Sequence, residues 1–165
     1  MLPRRPAELG GLEFGNLTHY VMQTVLPRYV AADMKGVTRA VVVADAKARV
    51  EANPTDAQLQ FKYGQALFDA GMQSEAIPAL QRARTNPNIR IKSMLMLGKC
   101  YHAKGMVDMA IRQLEDADKE LLVMDETKKE ILYMIGLLYD EQGNKEKSLE
   151  NLKAIYEVDY GYKDV

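Results

Sequence analysis

The chain has 165 residues, 47% of them hydrophobic: enough for one domain with a sizeable core, and too apolar for a mostly disordered polymer. Its formal net charge of −1 supplies no global field for capturing nucleic acid or an anionic membrane. The single cysteine, Cys100, excludes an internal disulfide and forms no metal-ligand spacing with the two histidines, His19 and His102. No metal and no cofactor is expected, and Cys100 reads as a small packed thiol.

In chain order, the opening MLPRRPAELGG lacks the apolar stretch of a signal peptide, and no apolar run reaches the roughly 18 residues of a membrane span. The expected location is cytoplasmic. Residues 1–36 form an N-terminal segment in which Leu17, Tyr20, Val21, Thr24 and Val25 keep helical spacing before Pro27 interrupts. This short amphipathic helix has three open roles: docking on the helices that follow, lying in a groove between them, or mediating dimerisation. Residues 37–54 predict a helix with Val41, Ala44 and Ala48 on one side, expected to cap the next unit.

Residues 55–158 repeat. The stretch YGQALFDAGMQSEAIPALQRA at 63–83 returns as LGKCYHAKGMVDMAIRQLEDA at 97–117 and as IGLLYDEQGNKEKSLENLKAI at 135–155. Gly64, Gly71 and Ala76 correspond to Gly98, Gly105 and Ala110 at an offset of 34, then to Gly136, Gly143 and Ser148 at a further 38. Such a period means stacked units. Apolar spacing makes each unit two amphipathic helices around a glycine turn. The first glycine and the alanine fall where the two helices cross, and small residues there let the backbones approach. The second glycine closes the first helix. Units are expected at about 55–87, 88–122 and 126–158, with Thr55 or Asp56, Asn88 and Asp125 as helix caps. Residues 159–165 are a tail or the start of a capping helix.

These units resemble tetratricopeptide repeats. The family's pattern is met by Tyr63, Gly64, Leu67, Ala76, Leu80 and Ala83, with Pro87 one place early, and by Leu97, Gly98, Tyr101, Ala110, Leu114 and Ala117 without the closing proline. The third unit meets it at Ile135, Gly136, Tyr139 and Leu152, with Ser148 and Ile155 in place of small residues. The C-terminal stretch IYEVDYGYKDV and the stretch NPNIRIKSMLMLGKC also resemble uncharacterised bacterial repeat proteins. The resemblance implies an all-α, right-handed superhelical solenoid of about three helix-turn-helix units with N-terminal flanking helices.

It also implies a function. In the family the first helix of each pair lines a concave groove that holds a peptide or helix of a protein partner. That projection puts Gln58, Phe61, Gln65 and Phe68 on the groove, followed by Lys92, Leu95, Met96, Lys99 and His102, then Glu130, Tyr133, Met134, Leu137 and Glu141. Phe61, Leu95 and Tyr133 would align as an apolar strip. Some members grip chaperone C-termini with lysine, asparagine and arginine, but Phe61 and Gln65 stand where lysine and asparagine belong, which disfavours that ligand. No phosphate loop, metal-binding histidine pair or nucleophile elbow occurs, and His102 alone supports catalysis weakly, so the chain is expected not to be an enzyme. The alternative to groove binding is an assembly subunit that associates through its repeat ends or N-terminal segment as a weak homodimer.

Overall fold

A computed structural model describes residues 34–164; the amphipathic stretch expected at 17–25 lies outside the described residues. Among the described residues there are seven α-helices and no strand: α1 (Met34–Ala52), α2 (Ala57–Asp69), α3 (Gln73–Ala83), α4 (Arg90–Ala103), α5 (Val107–Glu120), α6 (Glu126–Glu141) and α7 (Lys145–Tyr156). A short 3-10 turn, Tyr162–Asp164, follows. From Val41 onward the chain forms one compact unit.

Helix starts follow local hydrogen-bond chemistry. Asp56 caps α2, its Oδ1 accepting from the amides of Gln58 at 2.8 Å and Leu59 at 3.2 Å. Asp125 does the same for α6, accepting from the amide of Lys128 at 2.8 Å. Asn88 does not cap α4. Its own amide donates to the side chain of Asn86 at 2.9 Å, in a turn over Pro87, so the helix begins at Arg90.

From α2 onward each helix packs on its sequence neighbour: α2 on α3, α3 on α4, and so on through α7. The first helix of each pair crosses the second at a glycine. A β-carbon on Gly64 would stand 2.6 Å from Leu80 Cγ, and one on Gly136 2.8 Å from Leu152 Cγ. Ala76, Ala83, Ala110 and Ala117 are fully buried beside these crossings, with Ser148 in the same place in the third pair. Gly71, Gly105 and Gly143 end the first helices with φ of 80°, 73° and 78°. A core of Leu67, Leu80, Leu97, Leu114, Ile131, Ile135 and Leu138 runs continuously through the pairs. Cys100 lies within it, and burial pushes its thiol up to about 11.

The covered side of α1 differs from expectation. Val41, Ala44 and Ala48 are exposed, whereas Val43, Ala46 and Val50 are partly or fully covered. Both sets keep helical spacing, and the apolar run of valines and alanines offers no polar stripe to choose between them.

Candidate functional site

The first helices α2, α4 and α6 carry the residues expected to line a groove. Gln65, Lys92 and His102 are exposed; Phe61, Phe68, Met96, Lys99, Tyr133 and Met134 are half-buried. Phe61, Phe68, Met96 and Met134 rest their inner surfaces on the core. Leu137 is the most open apolar residue of the set, 47% exposed.

Leu95 is corrected: only 7% exposed, it belongs to the core and not to an open strip. One helical turn on, Lys99 reaches α6 and donates to Glu130 Oε1 at 2.7 Å.

A second bridge joins the same helices, His102 Nε2 lying 2.9 Å from Glu141 Oε2. Lys99 is thereby engaged within the chain, as is His102. The His102–Glu141 pair is half open to solvent, with side chains 45% and 53% exposed. An imidazole and a carboxylate in such a setting can orient and share a proton, but a catalytic constellation also needs a held reacting group.

Tyr133 has a cover that the repeat pattern did not reveal. The ring of Tyr162 meets it edge-on, with centroids 6.2 Å apart at 79°, and the ammonium of Lys163 sits 5.1 Å from its centre. The returning tail is fastened by Asp159, which accepts from Lys129 Nζ at 2.9 Å. That hydrogen bond holds the Asp159 carboxyl below its ordinary value. Lys129 also pairs with Glu126 and lies 5.2 Å from the Tyr162 ring. The only signal for this in the sequence is the aromatic content of the tail.

A family model described as the tetratricopeptide repeat matches residues 129–161, which hold most of α6, all of α7 and the start of the tail. The chain has a tetratricopeptide-repeat fold. The matched unit of this repeat fold is the one that departs from the small-residue pattern at Ser148 and Ile155, and its helices cross like those of the other two. Two solved structures titled MamA are similar. One has a TM-score of 0.64 at 22% identity over 73% of this chain and 68% of that one. The other has a TM-score of 0.63 at 20% identity over 79% and 72%. At such identity they speak to the fold. No match was found among curated proteins. Among the described residues no helix is long and apolar enough to cross a membrane, and no three histidine, cysteine or acidic side chains stand together as a metal site.

Proposed function

We propose that the chain is a non-catalytic, cytoplasmic protein-binding scaffold that holds a peptide or helix of a partner along the face of α2, α4 and α6. The observation that carries this reading is Leu137, 47% exposed between the half-covered Tyr133 and Met134 and the exposed Glu141. Exposed apolar residues set in a polar surround are the usual anchors of a contact. Phe61, Phe68 and Met96 extend the apolar surface toward α2, with Gln65, Lys92, Lys99 and His102 as its polar border. The Lys99–Glu130 and His102–Glu141 bridges hold neighbouring first helices in register, which lowers the ordering cost of binding. Affinity capture with wild type and Leu137→Glu side by side tests the reading. A partner held by the first and lost by the second, with helicity equal, supports it; equal capture by both overturns it.

A second reading, assembly through the end of the repeat array, is favoured by Leu149. Its repeat equivalent Ile111 is 5% exposed and part of the core, whereas Leu149 is 68% exposed, and Tyr156, two helical turns on, is 55% exposed. Light scattering across a concentration series tests for a weak homodimer, and a strictly monomeric mass at high micromolar concentration overturns it.

A further inference from the structure

A crevice of about 430 Å³ lies between the second helices α5 and α7, away from the residues of the proposed groove. The chain holds its own template for what fills such a space. Between α3 and α5, the half-buried Arg84 reaches across and donates from Nη1 to Gln113 Oε1 at 3.3 Å. Between α5 and α7 the repeat equivalents are Asp118 for Arg84 and Asn151 for Gln113, while Ala154 replaces Asp116. Charge is reversed at one position and side chains are shortened at the other two. Asp118 instead pairs with Lys128, whose Nζ lies 3.1 Å from Oδ1, so it turns to its own side and leaves the crevice unfilled. The Asn151 Nδ2 is spent on the carbonyl of Lys147 at 2.8 Å, which leaves Oδ1 as an acceptor.

The rest of the lining has the same character. Glu115 and Glu150 approach from α5 and α7. Tyr139, at the floor, donates to Glu115 Oε1 at 2.6 Å, and burial together with that bond keeps its hydroxyl protonated above its ordinary value. The two ammonium groups of the lining are engaged: Lys147 donates to Tyr139 Oη at 3.3 Å above its ring, and Lys119 pairs with Asp116 at 3.1 Å. What remains is a slot with an apolar and aromatic floor and acceptors on both walls. A planar five-donor guanidinium matches that geometry better than the point charge of a lysine.

We propose that the crevice between α5 and α7 receives an arginine side chain of a partner polypeptide, its guanidinium taking the place that Arg84 takes between α3 and α5. The site is independent of the groove, so the two readings fail separately. The test is NMR titration of the full chain with acetyl-Gly-Arg-Gly-amide, following the Asn151 side-chain amide, with the citrulline and lysine peptides as controls. Saturable shifts are expected with arginine, with affinity about tenfold weaker for citrulline, which keeps the shape and loses the charge. The variant Asp118→Arg/Asn151→Gln/Ala154→Asp rebuilds the closure seen between α3 and α5 and is expected to lose binding. Glu150→Gln, an exposed single change that spares the fold, is expected to weaken it several-fold. No saturable shift with arginine, equal affinity for citrulline, or full binding by Glu150→Gln overturns the proposal. So does loss of arginine binding in Leu137→Glu, which would put the peptide in the groove.

Discussion

Gly98 and Leu114 touch where α4 crosses α5: a β-carbon on residue 98 would stand 2.7 Å from both Cγ and Cδ2 of Leu114. Leu114 is fully buried, so it has nowhere to turn. Gly98→Leu is therefore expected to lower stability by more than about 2 kcal/mol, because overpacking a tight crossing drives the helices apart. Urea midpoints measure it. Trimming Leu114 to alanine in a Gly98→Ala background should cost less than in wild type, since the two changes share one space. A midpoint unchanged in Gly98→Leu would remove the close crossing.

Leu95 and Leu137 should behave oppositely under the same substitution. Leu95→Ser opens a cavity and buries a hydroxyl, and is expected to cost about 2–4 kcal/mol. Leu137→Ser trims an exposed side chain and should shift stability by less than about 0.5 kcal/mol while weakening partner capture. Thermal melts of the two variants separate core from contact surface. Equal melting temperatures would mean that the burial of Leu95 contributes nothing.

Gly105 tests backbone conformation free of packing. Its φ is 73°, and no atom lies within 4 Å of an added β-carbon. Gly105→Ala is expected to cost roughly 1 kcal/mol through the left-handed backbone alone, and Gly105→Asn less, because asparagine tolerates that region. Chemical denaturation gives the order glycine, asparagine, alanine. Alanine at least as stable as glycine would contradict it.

Cys100 makes stability depend on alkaline pH. Burial raises its thiol from an ordinary value of 9.0 to about 11 in the folded chain. Between those values the unfolded chain releases a proton that the folded chain keeps, so this contribution is full below the unfolded pKa and is lost as pH rises toward the folded one. At pH 10.5 wild type should have lost about 2 kcal/mol more than Cys100→Ala, relative to pH 8. Parallel pH profiles for the two proteins would show an unshifted thiol.

The fold was legible because its crossings are steric. Gly64, Gly98 and Gly136 each face a leucine of the paired helix, and a contact that excludes a β-carbon leaves a mark at a fixed interval. The caps Asp56 and Asp125 were legible because their bonds are local. Positions that depend on a third element were not. Leu95 and the outward valines of α1 keep the same helical spacing as their neighbours, and only the approach of another element decides which side is covered. The tail over Tyr133 and the crevice beside Tyr139 arise between segments far apart in the chain, where a single-helix period carries no information.

The connection between α5 and α6 carries Leu122 at 96% and Val123 at 72% exposure, and Lys128 braces it by donating to the Leu121 carbonyl at 2.7 Å. What holds α6 to α5 is contact between their side chains, the Tyr139–Glu115 and Lys128–Asp118 pairs included, while Leu122 and Val123 of the linking peptide are left standing in water. The polypeptide is therefore divisible at this seam. Residues 1–122 and 123–165, made as separate chains, would carry two halves of an interface already shaped to fit, and their rejoining would report the nearness of whatever each half was fused to.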